Sequence, residues 1–167
     1  MDKNIAAVYA SLSERSTRFA NFVIDGIIVT LLQFGTAALG NWMYDTYGNE
    51  GFLVGPLDTQ NLKFTLLCLG IQIVYYGLFE SVFMRTPAKF ITNTMVINRD
   101  GSTPDNGRIF LRTLCRQIPL EIFSFLWPPG TGWHDSISKT LVVDVNKLKI
   151  AQRNADMENI NTNDENI

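Results

Sequence analysis

The stretch RFANFVIDGIIVTLLQFGTAALG, residues 18–40, decides the fold of this 167-residue chain. After Arg18 the stretch is predominantly apolar, and Asp25 is its only acidic residue. A helix of about 20 apolar residues crosses the roughly 30 Å hydrocarbon layer of a bilayer. The stretch therefore predicts a membrane-spanning helix over residues 19–40, and the carboxylate about two turns from one end of it requires an explanation.

A second stretch has the same character. Residues 64–83, FTLLCLGIQIVYYGLFESVF, contain Glu80 as their only charged residue and predict a second spanning helix. The alternative is a buried helical hairpin in a soluble protein. The first stretch is not typical of a cleavable signal peptide, because its apolar run is too long and follows a polar segment. Charged residues make up 18% of the chain, below the roughly 25% usual for soluble domains.

A third apolar segment, IFLRTLCRQIPLEIFSFLW at 109–127, has the length of a spanning helix but carries Arg112, Arg116 and Glu121. An ionised residue at the bilayer centre costs at least about 2.5–3.5 kcal/mol, so these side chains are not expected to face lipid. The segment either packs its charged face against the other two helices or lies at the membrane interface. Both alternatives stay open here, and Pro119 offers a place for a bend.

Two short segments predict a strand pair. Residues 94–98, TMVIN, run into an Asp100-Gly101 turn, and residues 140–145, TLVVDV, have the composition of a partner strand. Paired strands lie on one face of a membrane, so the chain between them returns to that face. The expected fold class is an all-α membrane protein with two spanning helices, a third amphipathic helix that is re-entrant or spanning, and this small cytoplasmic β pairing.

Lysine and arginine residues are spread unevenly over the connecting segments. Three precede the first helix, one lies between the first two helices, four lie in 84–108 and four follow the third segment. Because cytoplasmic loops carry the excess of Lys and Arg, the N-terminus and 84–108 are expected in the cytoplasm and 41–63 outside. We expect a cytoplasmic segment at 1–17 and a membrane domain at 18–145, whereas the polar residues 146–167 predict a disordered tail.

Ionisable residues on the three segments recur at helical spacing and at similar depth. Asp25 lies about 9 Å from the cytoplasmic start of its helix at 1.5 Å per residue, and the ionisable residues of the other two segments lie at comparable depth. Membrane helices hide charge by turning polar faces toward one another. The pattern predicts either an ion- or ligand-binding cluster or an ionic lock, formed by Asp25, Gln72, Glu80, Arg112 and Arg116.

The sequence lacks the motifs of common enzymes and metal sites. It has no Walker-type phosphate loop, no GxSxG, no paired-cysteine site and no HExxH helix, so we expect no enzymatic activity, no cofactor and no metal. The net charge of −2 disfavours a nucleic-acid partner. His134, the only histidine, adjoins Asp135. Such a pair forms either a proton relay or a local turn in which Asp135 is a helix N-cap.

Three blocks of sequence occur in a specific order. They are RFANFVID at 18–25, RTPAKFITNTMVINRDGSTP at 85–104 and GWHDSISKTLVV at 132–143. This order resembles the RDD family of small multi-pass bacterial membrane proteins, which is named for an arginine and two aspartates. The resemblance implies that Arg18 and Asp25 match the arginine and aspartate of the first helix, and that Asp135 matches the second aspartate.

The resemblance also implies location in the bacterial inner membrane and a suggested role in transport. One departure is Ala88, where the family usually has a glycine in TPGK, so the turn there is expected to be built differently. Two functions follow. In the first, Asp25 exchanges a proton or cation within an oligomer, since two or three helices enclose no pathway alone. In the second, the charges form a permanent lock, and the protein is a scaffold or assembly partner of another membrane protein.

Physical grounds favour the lock, because buried charge pairs are more often architectural, whereas the resemblance favours transport. In both cases the expected partners are the lipid bilayer and either further copies of the chain or another membrane protein.

Overall fold

The computed structural model describes residues 3–47, 62–118 and 132–164. In chain order the elements are α1 (Lys3–Ala10), α2 (Arg15–Tyr47), α3 (Leu62–Phe83), α4 (Pro87–Ile91), β1 (Thr94–Asn98), α5 (Asn106–Cys115), α6 (Trp133–Ser138), β2 (Thr140–Asp144) and α7 (Val145–Asp164). The architecture is mostly helical, with a small two-stranded sheet.

Of the described helices, α2 and α3 are long and apolar enough to cross a membrane. Only 17% of the most apolar window of each is buried within the chain, unlike the core helices of a soluble protein. Val29 packs with Tyr75 and Tyr76, and Gln33 Nε2 donates to the Cys68 carbonyl at 3.3 Å, so the two helices run antiparallel. The prediction of two long apolar helices is confirmed, although α2 extends beyond the predicted 19–40 at both ends.

The two strands pair antiparallel, with Thr94 opposite Asp144 and Asn98 opposite Thr140. This confirms the predicted pairing of 94–98 with the β-branched segment, whose strand ends at Asp144. A small apolar core joins the sheet to both ends of the chain. It consists of Val8, Ile97, Leu141, Val143 and Leu148.

The segment between α1 and α2 lies along β2 like a third strand. Ser13 N–H donates to the Val142 carbonyl at 3.0 Å, and Asp144 N–H donates to the Ser11 carbonyl at 2.9 Å. The start of α2 is therefore held against the sheet.

The predicted disordered tail at 146–167 is wrong over most of its length, because α7 runs to Asp164. Asp144 caps this helix, since its Oδ1 accepts from the N–H groups of Asn146 and Lys147 at 2.8 and 3.0 Å. Leu148 then packs into the apolar core. One cap and two buried apolar residues, Val145 and Leu148, thus hold in place a polar helix that lacks a continuous apolar period.

The prediction of one helix over 109–127 also requires correction. The structure has α5 beginning at Asn106, where Asp105 caps it, and ending at Cys115. Residues 116–118 form turns, and 119–127 lie outside the described residues. A ten-residue helix is about 15 Å long, which is half the hydrocarbon thickness.

A tight reversal joins α3 to α4. Met84 has φ of +56°, a left-handed conformation that ends α3 after Phe83. Thr86 is the N-cap residue of α4 and Pro87 its first residue. The reversal returns α4 to the end of α3.

Candidate functional site

Ionisable side chains from α2, α3, α4, α5 and α6 meet at one end of the α2–α3 pair. They form a connected set of ion pairs that we call the charge cluster: Arg18, Glu80, Lys89, Arg112, Arg116 and Asp135. Five of these six residues are buried, and Arg116 is half-buried.

Glu80 is the anionic centre of the cluster. Its carboxylate lies 2.6 Å from Lys89 Nζ, 2.8 Å from Arg112 Nε and 3.0 Å from Arg116 Nη2. Arg116 also stacks over the Tyr76 ring, with 4.3 Å between the guanidinium carbon and the ring centroid. A carboxylate with 0% exposure is therefore neutralised by three cations.

Asp135 is the second anion. It contacts Arg112 Nη1, lies 3.6 Å from Arg18 Nη1 and is 3.4 Å from His134 Nε2. Arg112 Nη1 also donates to Thr140 Oγ1 at 2.7 Å. Arg112 thus bridges an acid on α3 and an acid on α6. The prediction of Asp135 as an N-cap is wrong, since Gly132 precedes the first turn of α6 and Asp135 lies within that turn.

Asp25 is buried, with 1% exposure, but its carboxylate is bound by neutral donors. Tyr75 Oη donates at 2.8 Å, Thr86 Oγ1 at 2.6 Å and the Ala88 N–H at 3.2 Å. Among the described residues it forms no ion pair, so the expected contact between Asp25 and an arginine is not observed. The spacing was compatible with such a contact, but the donors that the carboxylate meets are Tyr75 of α3 and the Thr86 and Ala88 groups at the start of α4.

Gln72 is the other predicted member that the structure does not bring into the cluster. It is half-buried, two turns of α3 before Glu80, and no described residue of the cluster hydrogen-bonds to it. Glu80, Arg112 and Arg116, by contrast, lie together as described above.

Arg18 and Asn21 connect α2 to the sheet. Arg18 Nη2 donates to the Val142 carbonyl at 3.1 Å and Arg18 Nε to the Ser13 carbonyl at 3.2 Å. Asn21 Nδ2 donates to Thr94 Oγ1 at 3.1 Å. The first two turns of α2 are thereby fixed to both strands.

A cavity of about 20 Å³ lies between these groups, with room for about one water molecule. Residues of the charge cluster line it together with Asp25, Asn21 and His134. Arg112 Nη2 and Asp135 Oδ2 have no hydrogen-bond partner among the described residues. Arg18, which also lines the cavity, has a further donor without a hydrogen-bond partner among the described residues, its Nη1, so the cavity offers two donors and an acceptor to a water molecule.

A model of the RDD family matches residues 12–128. The chain belongs to the RDD family. The match includes both candidate spanning helices and confirms the resemblance drawn from the sequence blocks. No curated protein and no solved structure matches the chain.

Two of the RDD residues implied by the resemblance, Arg18 and Asp25, lie inside the matched range. Asp135 lies beyond residue 128, so its assignment as the second aspartate of the family stays a prediction. In this RDD protein Arg18 and Asp135 form an ion pair, whereas Asp25, two turns along α2, borders the same cavity but is bound by neutral donors.

Whether the turn at Ala88 differs from that of other family members stays a prediction, but its local structure in this RDD protein is clear. Ala88 is fully buried in α4 and has no positive φ. Its N–H group donates to Asp25 at 3.2 Å. The turn therefore needs close packing rather than the conformational freedom of glycine.

Two buried titratable groups outside α2 and α3 have shifted pKa values. Burial lowers the pKa of His134 well below its usual range, and Arg116 and Arg112 lower it further, so His134 is neutral at pH 7. Burial also lowers the pKa of Lys89, while Glu80 raises it.

Sequence reasoning missed Lys89, Thr86 and Tyr75 as site residues. Lys89 was counted only as a cytoplasmic loop charge, although it contacts Glu80. The Thr-Pro pair was a signal for a helix start at Pro87, which would place Lys89 in the first turn of that helix. Nothing in the helical spacing of α3 distinguished Tyr75 from its apolar neighbours.

Proposed function

We propose that this RDD protein is a multi-pass, non-enzymatic protein of the bacterial inner membrane that takes part in ion or solute transport, with Asp25 as the exchanging carboxylate. The observation that carries the proposal is the pocket of Asp25. This carboxylate is buried on a candidate spanning helix, and its three described partners are all neutral. An intramembrane ionisable residue is a functional-site hypothesis by default.

The contrast with Glu80 explains why Asp25 is the better candidate. Protonating Glu80 would leave three buried cations without their counter-charge, which is costly in a dry environment. Protonating Asp25, or binding a cation to it, breaks no ion pair among the described residues. In this proposal the charge cluster is the fixed frame, and Asp25 is the group whose charge changes.

The proposed topology follows from the antiparallel packing of α2 and α3. Lys and Arg are concentrated around the start of α2 and after α3, so both of these ends lie in the cytoplasm in this proposal. Two spanning helices enclose no pathway, so transport requires further copies of the chain or another membrane protein.

The test is proton and cation flux in vesicles reconstituted with the full chain, with Asp25→Asn as the variant. We expect the variant to insert and assemble normally and to lose pH- or cation-dependent flux. Asp45→Asn is the matched control, because it makes the same change at an exposed position on the same helix. Unchanged flux in Asp25→Asn would exclude the proposal, and a protein that is strictly monomeric in mild detergent would exclude transport by copies of this chain alone.

A second function, that of a scaffold or assembly partner, is favoured by the burial and mutual ion pairing of the charge cluster. Arg112 and Glu80 have 0% exposure, and Arg112 bridges two acids, as expected for a permanent lock. Under this alternative the wild-type protein carries no flux for any of the ions tested. Glu80→Gln still lowers its thermal stability.

A further inference from the structure

The helices around the charge cluster bury the charged side chains that form it and expose most of their large apolar side chains, although Ile109 of α5 is buried. In α5, Arg112 and Thr113 are fully buried, whereas Phe110 has 56% exposure and Leu114 has 41%. A helix of a soluble protein has the opposite arrangement, with its apolar stripe toward the core.

The same inversion is found in α6 and α4. In α6, His134 and Asp135 are buried and Ile137 is exposed. In α4, Lys89 is buried and its neighbours Phe90 and Ile91 are exposed. We call the outward side chains of the three helices the apolar collar: Phe90, Ile91, Phe110, Leu111, Leu114 and Ile137.

The collar is continuous with the apolar surface of the candidate spanning helices. Phe83, an exposed residue at the end of α3, contacts Phe90 of the collar with 5.9 Å between ring centroids. On α2, Phe19 and Val23 are exposed beside the buried Arg18. Apolar side chains therefore face outward from all five helices that surround the cluster.

Basic side chains lie at the edge of this surface. The Arg85 guanidinium carbon lies 5.6 Å from the centroid of the Phe90 ring, and Lys139 directly follows α6 at an exposed position. Cations next to an apolar face complement the anionic headgroups of a cytoplasmic leaflet.

We propose that the apolar collar is a lipid-contact surface, which seats α4, α5 and α6 among the acyl chains of one leaflet rather than in water. This inference rests on the membrane placement proposed above and extends it to helices too short to span. It also gives the charge cluster its dry surroundings, since lipid covers the helices that enclose it. The short α5 is then an interfacial helix rather than the start of a crossing.

The test is tryptophan quenching in nanodiscs of phosphatidylcholine and phosphatidylglycerol, in which the phosphatidylcholine carries brominated acyl chains. In a background with Trp42, Trp127 and Trp133 replaced by phenylalanine, single tryptophans are introduced as Phe110→Trp and Ile137→Trp. Trp42 restored alone on α2 reports a spanning helix, and Gln152→Trp on the polar α7 reports an aqueous position.

We expect bromine quenching of Phe110→Trp and Ile137→Trp to match that of Trp42, with little quenching by aqueous iodide. Iodide quenching equal to that of Gln152→Trp, with Trp42 still quenched by bromine, would overturn the collar but keep the membrane placement. Protection from both quenchers would mean that a protein covers the collar, either a second copy or another chain, and would also overturn the inference. Loss of bromine quenching at Trp42 would overturn the membrane placement itself.

Discussion

Arg112 forms ion pairs with both buried acids of the cluster, Glu80 and Asp135. Its guanidinium group lies 2.8 Å from Glu80 through Nε and contacts Asp135 through Nη1. The planar fork of an arginine suits this bridge, whereas the point charge of a lysine reaches one acid at a time.

Replacing Arg112 therefore tests whether the cluster holds the fold. We expect Arg112→Gln to lower the stability by about 3–5 kcal/mol, because Asp135 loses its closest cation and Glu80 one of three. Thermal unfolding in detergent measures the loss. Arg153→Gln, at an exposed position on α7, is the matched control and should change little. Equal effects of the two variants would contradict the bridge.

The hydroxyl of Thr86 tests the pocket of Asp25. Thr86 Oγ1 donates to Asp25 at 2.6 Å in a buried site. Thr86→Val keeps the shape and removes the donor, so we expect a loss of about 1.5–3 kcal/mol, as for hydrogen bonds to charged groups. Thr86→Ser retains the hydroxyl and should recover most of that stability. A serine variant as unstable as the valine variant would show that packing, not the hydrogen bond, matters.

His134 makes stability depend on pH in a defined window. Burial, followed by Arg116, Arg112, Lys89 and Arg18, lowers the pKa of His134 in the folded protein. The unfolded chain then binds more protons than the folded one below the ordinary histidine pKa of about 6.5, so stability falls as the pH falls from about 7 to 5. Melting temperatures across that range should fall in the wild type and change less in His134→Gln. A flat wild-type profile would be inconsistent with a buried neutral histidine.

At the scale of elements, the sequence correctly predicted which residues share a face within one continuous helix, because helical spacing determines that. Length and composition located α2 and α3, and the interval of four residues placed Arg112 and Arg116 on one side of Glu80. Helical spacing does not predict contacts across a chain reversal. The contact of Lys89 with Glu80 was therefore not predicted, because the left-handed Met84 reverses the chain between them. The same reversal brings Thr86 to Asp25, whose carboxylate meets neutral donors instead of the predicted arginine.

The prediction of a disordered tail failed for a different reason. The polar composition of the segment predicted disorder, but tertiary contacts hold it as a helix. Leu148 has 8% exposure in the core shared with α1 and the sheet. We expect Leu148→Ser to release α7, seen as faster amide hydrogen exchange over 145–157, with a loss of about 2–5 kcal/mol as for large-to-small core changes. Ile150→Ser, on the exposed face of the same helix, should leave exchange unchanged.

At the scale of the whole molecule, the sheet limits the membrane topology. β1 follows α3 in the chain, yet it shares one core with Val8 before α2 and with Leu148 at the other end of the chain. A single core lies on one side of a membrane. In the proposed topology the chain therefore crosses an even number of times between α1 and β1, through α2 and α3, and an even number of times between β1 and β2.

This arrangement predicts the outcome of cysteine labelling in intact and in permeabilised cells. In a background with Cys68 and Cys115 replaced by alanine, Ser102→Cys and Gln152→Cys should both react with a membrane-impermeant maleimide only after permeabilisation. Gln60→Cys, in the segment joining α2 to α3, should react in intact cells, because antiparallel spanning helices put that segment on the other side. Opposite labelling of Ser102→Cys and Gln152→Cys would separate the two strands across the membrane and contradict the fold. Labelling of all three variants in intact cells would instead place the sheet outside the cell, contrary to the proposed orientation. It would also place Gln60→Cys on the same side as the sheet, so α2 and α3 would not cross the membrane.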